Sequence, residues 1–393
     1  MTHVSLESAS LTVPGGCVNN KLLHAMALFW LVILSSVTQA EGVEFSGSGF
    51  MTLAAGKILG GTSHQTVSGY QCPCFISDYA NAGIYENNGI NIGPDSKLGL
   101  QGTATFNKDF SATGQVVSRG ARNGRVNLEW VYGSYKLNDT LTLQVGRKRL
   151  PLFYYSESQD VGLSFPWAHL PPQLYGWEIV NYNGANVLYQ DQWGEWSSSL
   201  NVFAGDETRN DTGYWKIYNG KDTHTDSRWS NIRGAELGLS RDWLETRLVY
   251  IESDVQNKVV GVDADFSPKA KQQIYGLSAN IDHEKWVVRT EFLYIDHKED
   301  GGTDRAQLFG IGYRISKFLP MITYANYQET VAADQNRAEG HSTTSLSVRY
   351  DVNTSSAIKV QYDYWKDHSG PIYNTWTPYG SSRLLSVSYD MVF

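Results

Sequence analysis

The chain has 393 residues, 41% hydrophobic and 18% charged, with 40 acidic side chains against 32 basic ones. A net charge of −8 gives no footprint for nucleic acid, and a mean hydropathy of −0.35 excludes a bundle of membrane helices. With 24 Tyr, 12 Trp and 37 Gly against 11 Pro, the composition suits an aromatic-rich β-protein punctuated by glycine.

One apolar run, 22–37, follows Lys21 and leads into Thr38-Gln39-Ala40, which carries small residues where a signal peptidase reads. Residues 1–40 are therefore expected to be a secretory signal with an N-terminal extension, and 41–393 the mature domain. A membrane anchor is the alternative, but the run is short for a span. The stretch before Lys21 does not resemble a leader, so translation from near Val18 is expected. Beyond the run only Cys72 and Cys74 remain, flanking Pro73. In an exported chain such a pair suggests a local loop disulfide, with free thiols or a metal as alternatives. The nearest further ligands are Asp78 and the more distant His64.

From Val43 onward, segments of about ten residues alternate apolar with polar side chains, the pattern of strands that meet different surroundings on their two faces. They are 43–55, 96–107, 110–119, 126–137, 140–149, 182–190, 196–205 and 232–240, followed by 243–254, 273–282, 286–296, 305–315, 318–328, 345–352, 357–366 and 382–393. The last is the clearest: Leu385, Val387, Tyr389, Met391 and Phe393 alternate with Ser386, Ser388 and Asp390. Every second connection is short and the others are mostly long. Sixteen strands with that asymmetry predict an all-β, antiparallel transmembrane barrel, of a size whose interior holds an aqueous channel. Trp130, Trp243, Trp286, Tyr313, Tyr350, Tyr389 and Phe393, near strand ends, are expected to form interfacial girdles.

With the leader, these segments and the terminal Phe393, the mature region as a whole resembles the Gram-negative outer-membrane porins. Residues 386–393 match the family's assembly signal, with Tyr389 and Phe393 as its aromatic positions. Segment 110–120 is a further match, and Gln144-Val145-Gly146-Arg147-Lys148 resembles the fifth strand, which precedes an inward-folded third loop. The resemblance implies a homotrimer in outer-membrane lipid and lipopolysaccharide, inserted by the barrel assembly machinery. It also implies passive passage of small hydrophilic solutes and ions, without a cofactor. The family's Pro-Glu-Phe loop motif is missing; Ser158-Gln159-Asp160-Val161-Gly162 stands there instead.

The third loop, 150–177, is aromatic and carries little charge beyond Glu157, Asp160 and His169. That composition suits a loop packed inside the barrel; a trimer contact or a rim cover is the alternative. Opposing it, inward strand positions are expected to present Arg119, Lys148, Arg247, Arg289, Arg349 and Lys359, because a charge facing lipid at mid-membrane costs roughly 2–4 kcal/mol. Glu157 and Asp160 facing Arg119, Arg349 and Lys359 would set a transverse field across the constriction. The alternative for each arginine is a structural ion pair. Arg147 and Arg149 fall on the lipid-facing parity, at the rim or turned inward by a bulge. In 286–296 the parity is ambiguous, since Arg289 and Glu291 share theirs with Val287, Leu293 and Ile295.

No phosphate loop, nucleotide fingerprint or His-Glu-x-x-His is present, and Asp263 with Asp265 are too few for a calcium loop. His169, His224 and His341 have no neighbouring catalytic motif. The expected function is a water-filled diffusion channel and no enzyme. A sugar- or anion-selective channel, with Tyr154, Tyr155 and Trp167 as a stacking surface, is the nearest rival; an outer-membrane enzyme or an adhesin lies further off.

Overall fold

A computed structural model describes residues 42–62, 66–299, 301–370 and 380–393. The expected signal, the start near Val18, and His64 lie outside them. All sixteen expected segments are strands: β1 (Glu44–Gly61), β2 (Lys97–Thr105), β3 (Phe110–Arg119), β4 (Arg125–Lys136), β5 (Leu141–Arg149), β6 (Asn181–Trp193), β7 (Trp196–Arg209) and β8 (Thr225–Arg241). They continue with β9 (Leu244–Val259), β10 (Ala270–His283), β11 (Trp286–His297), β12 (Thr303–Tyr313), β13 (Phe318–Thr330), β14 (Gly340–Asn353), β15 (Ser356–Asp367) and β16 (Ser382–Val392). Each is antiparallel to its neighbours, and β1 pairs with both β2 and β16, so the sheet closes. Closure leaves no edge of unpaired backbone groups for hydrocarbon to desolvate.

The seam is built by the last residue. The Phe393 carbonyl accepts from the Gly49 N–H at 2.7 Å, and its own N–H donates to Gly49 O at 2.9 Å. The Phe393 ring lies where a Cβ on residue 49 would be, so a side chain there would have to push the ring aside. Short turns occupy one end of the barrel. Asn107 Oδ1 accepts from the N–H groups of Asp109 and Phe110 (both 2.9 Å), and Asn138 and Asn353 cap their turns in the same way.

Period-two alternation separates the faces. Val187, Val202, Leu248, Leu277, Phe309, Ile322, Leu346 and Val387 are 40 to 53% exposed and form a continuous outer apolar band. Gln115, Asn186, Ser278, Thr323, Ser347, Gln361 and Ser388 are buried on the inner face. Aromatic pairs border the band. At the short-turn end Phe106–Phe110, Trp286–Tyr313 and Phe318–Tyr350 have ring centroids 5.1, 4.9 and 4.8 Å apart; toward the loops Tyr250, Tyr275 and Tyr294 form a row. Trp286 and Tyr294 are roughly 26 Å apart along their tilted strand at about 3.3 Å per residue, on the order of the outer band of membrane barrels. Trp130 is a correction: it lines the lumen, not the girdle.

Several strands run further toward the long loops than the alternation suggested. In β8 the register shifts between Ser230 and Arg233, with Asn231 at φ +55. Above the shift Thr225, Ser227 and Trp229 are buried; below it Ile232 is. A phase change of one residue erases the period-two signal at that point. Among the loops, 210–224 holds a short helix α1 (Gly213–Asn219), and Cys72 and Cys74 are joined by a disulfide in loop 62–96.

Candidate functional site

The third loop, 150–180, crosses the lumen. Leu150, Leu152, Phe153, Phe165, Trp167 and Leu174 are nearly fully buried, packed against inward Val249, Ile251, Ile274, Leu293, Ile295, Leu308 and Met321. This resolves β11: Val287, Leu293 and Ile295 share the inner face with Arg289 and Glu291, because the wall there meets the loop rather than water.

A loop inside a barrel has backbone groups that no strand satisfies, so side chains must do it. The lumen cations do much of this. Arg349 Nη1 donates to the carbonyls of Leu163 (2.7 Å) and Phe165 (3.2 Å), and Arg247 Nη2 to that of Pro151 (2.7 Å). Lys359, 0% exposed, donates to the carbonyls of Gly162 (2.5 Å) and Trp167 (2.8 Å) and pairs with Asp390 at 3.1 Å. Gly162 lies so close to Asp390 and Thr52 that a side chain there would overlap both. Arg289 reaches the Tyr155 hydroxyl at 3.1 Å, Glu291 accepts from Tyr154 N–H and Tyr175 OH, and Trp167 Nε1 donates to Thr323 at 2.8 Å.

Asp160 anchors the tip in a buried network. Arg119 bonds Asp160 (2.7 Å) and Glu129 (2.6 Å), Arg149 bonds the same pair (2.5 and 3.2 Å), and Lys97 lies 4.0 Å from Asp160. Burial would raise the Asp160 carboxyl, but Arg119 and Arg149 outweigh it and hold it well below the usual carboxylate range. The expected eyelet therefore changes. Asp160 and Arg119 touch and are dry instead of facing each other across water, and Arg349 and Lys359 fasten the loop. Arg149 is drawn inward by Asp160 and Glu129, while Arg147, on the parity of Val145, pairs with Glu207 at 2.6 Å.

His169 forms a second latch, joining loops one and three to the wall. Its Nδ1 lies 3.2 Å from Asp95 and its Nε2 3.3 Å from Asp363; Nδ1 is off the hydrogen-bonding direction, so that contact is mainly ionic. Burial opposes the charge, but Asp363 and Asp95 outweigh it and hold the imidazolium up to about 10. A raised pKa stabilises the latch fully below the unfolded value near 6.5, and that contribution disappears as pH rises through about 10. We expect channel conductance to change between about pH 8 and about pH 11, and to change less over that window in His169→Gln. A wild-type titration flat through that window would rule the latch out.

Glu157 and Lys148 remain in open space. A cavity of about 300 Å³ on the β4–β8 side is lined by Trp130, Tyr132, Gln144, Lys148, Glu157, Asn186, Asn201 and Glu236. Lys148 donates to Gln144 and to Asn186 (3.2 Å) and stands 5.0 Å over the Tyr132 ring; Glu236 accepts from Arg247 at 2.5 Å. Tyr155 and Trp167 are 7% and 0% exposed, which removes them as a stacking surface for passing sugars. Of the functional groups missed in the sequence, Glu129 is turned inward by a register shift beside it, between Gln115 and Val116 of β3, and Asp390 lies on the polar face of β16.

The molecule is a sixteen-strand closed barrel, its wall alternating apolar outside and polar inside, with a loop across its lumen. OmpT of Vibrio cholerae, an outer membrane protein, superposes with a TM-score of 0.56 at 9% identity, covering 91% of this chain and 100% of that one. The fold is that of the outer-membrane porins. The anion-selective porin of Comamonas acidovorans (TM-score 0.54, 12% identity, 89% and 100% covered) and the outer membrane channel DcaP of Acinetobacter baumannii (0.55, 10%, 90% and 99%) share this porin fold. No protein-family model and no curated protein sequence matches the chain.

Proposed function

We propose that this chain is an exported outer-membrane channel for passive diffusion of small hydrophilic solutes and ions. The observation that carries the reading is the division of each strand between two solvents: a closed sheet with an apolar outer band and a polar, charged lumen. A band of that kind is stable in hydrocarbon, and a polar interior there serves water and solutes. Porin-fold channels of other bacteria support the assignment. On the loop-crossed side the wall is dry, so solutes run past Lys148, Glu157 and Glu236.

Between Phe110 at the short-turn end and the long loops, the outer faces of β2 and β3 carry Leu98, Leu100, Gly102, Ala104, Ala112 and Gly114 rather than the aromatics of β9–β13. Such a flat, small-residue face suits contact between copies, and a homotrimer is the proposed assembly; one solved OmpT is itself a trimer form. Reconstitution of the purified mature protein in planar bilayers tests the reading. Discrete conductance steps, arriving in threes, are expected; protein that stays soluble without detergent and never conducts overturns it. Glu157→Lys replaces a carboxylate in the open lumen by a cation. We expect the reversal potential in a salt gradient to move toward anion preference, and no movement would take Glu157 out of the solute path.

A further inference from the structure

Above the third loop, between α1 and the upper ends of β8–β13, lies a second cavity of about 720 Å³ that shares no lining residue with the lumen cavity. Its walls are aromatic: Trp177, Trp215, Trp229, Tyr214 and Tyr327. Its carboxylates, Glu178, Asp304, Glu329 and Glu339, outnumber its cations, Arg337 and His297. Asp304 is engaged by His297 at 2.8 Å and by the Tyr327 hydroxyl at 2.9 Å. Glu178 accepts from Trp229 Nε1 at 2.8 Å and Glu329 from the Glu339 N–H at 2.7 Å. Among the described residues, neither Glu178 nor Glu329 pairs with a lysine or arginine. Burial without such a cation pushes the Glu178 carboxyl up. Trp177, 8% exposed, lines the same cavity, and its Nε1–H has no acceptor among the described residues.

A buried donor with no acceptor, carboxylates with no cation and several aromatic faces are complementary to one kind of molecule. It must carry positive charge for Glu178 and Glu329, a flat or CH-rich face for the indoles, and an oxygen that accepts from Trp177. We propose that this mouth cavity binds a hydroxylated cyclic amine, the chemical class of the amino sugars, and holds it before the lumen. The ammonium group lies between the carboxylates, the ring stacks on the aromatic wall, and a hydroxyl takes the indole proton. The consequence for transport rests on the channel reading above; the binding itself does not.

Two measurements separate the two. Isothermal titration of the detergent-solubilised mature protein uses glucosamine as probe, with glucose and glucuronate as its neutral and anionic counterparts. Saturable binding of glucosamine is expected, at least tenfold tighter than glucose (about 1.4 kcal/mol), with no detectable glucuronate binding. Trp177→Phe and Glu329→Gln should each weaken glucosamine severalfold; should one fail to fold, the other carries the test. In planar bilayers glucosamine should block current from the long-loop side and not from the short-turn side. Equal affinity for glucose, binding of glucuronate, affinity unmoved by both substitutions, two-sided block or no saturation each overturns the proposal. A protein that binds glucosamine but never conducts overturns the channel reading and leaves the site standing; one that conducts without binding does the reverse.

Discussion

Asp160→Asn is expected to widen the channel. In the wild type, Asp160 and Glu129 balance Arg119, Arg149 and the nearby Lys97 in a setting where both carboxylates and both arginines are nearly fully buried. Removing one carboxylate leaves three cations against Glu129. Breaking a buried ion pair by taking away one partner costs about 3–5 kcal/mol, because the remaining charge is left desolvated. The closed barrel is held by backbone hydrogen bonds between every pair of neighbouring strands, whereas the tip of the third loop has few other ties on this side; Lys97 Nζ to Gln159 O at 3.2 Å is one. The local cost is therefore relieved by releasing the tip, which lets water reach the arginines. Single-channel conductance should rise, and chymotrypsin should gain cuts at Tyr154 or Tyr155. Unchanged conductance and the wild-type digestion pattern together would mean that the network is not what holds the loop.

Lys359→Met is expected to act at the opposite anchor, with a comparable cost. The lysine is 0% exposed, binds two loop carbonyls and Asp390, and stands 4.6 Å over the Phe165 ring. Methionine fills much of the volume but leaves Asp390 with only the hydroxyls of Thr52 (2.6 Å) and Ser388 (2.8 Å). The unpaired carboxylate is again worth about 3–5 kcal/mol. Adding Asp390→Asn removes that charge, so the double variant should recover much of the melting temperature lost by the single one. The loop carbonyls of Gly162 and Trp167 stay unsatisfied in both, so raised conductance should persist. Melting temperatures that simply add would show that Lys359 and Asp390 act independently, against the geometry.

The barrel was legible in the sequence because a strand between hydrocarbon and water has to alternate, and Leu385 to Phe393 do so without a break. Alternation fails where a strand leaves that situation. At Asn231 a register shift changes the phase, and along β11 both faces are apolar because lipid lies outside and the third loop inside. The cationic wall was legible too: Arg119, Arg349 and Lys359 stand on polar parities. What those cations bind was not, because their partners are backbone carbonyls of a loop whose path depends on tertiary packing. Glu129 and Arg149 were hidden for related reasons: a bulge turns one inward, and the pull of Asp160 turns the other. Glu157 and Lys148 carry nothing in the sequence that sets them apart from the fasteners; only the space left beside them does.

That the third loop packs against the inner side of β9–β13 means strand number overstates the bore. A ring of sixteen strands encloses a wide cylinder, yet here a permanent partition of aliphatic and aromatic side chains takes up one flank. For the proposed channel, the open path left is a crescent along β4–β8, so the size limit for a solute would be set by the gap between the Glu157 side of the partition and the opposing wall, and a flattened molecule should pass where a globular one of equal mass does not.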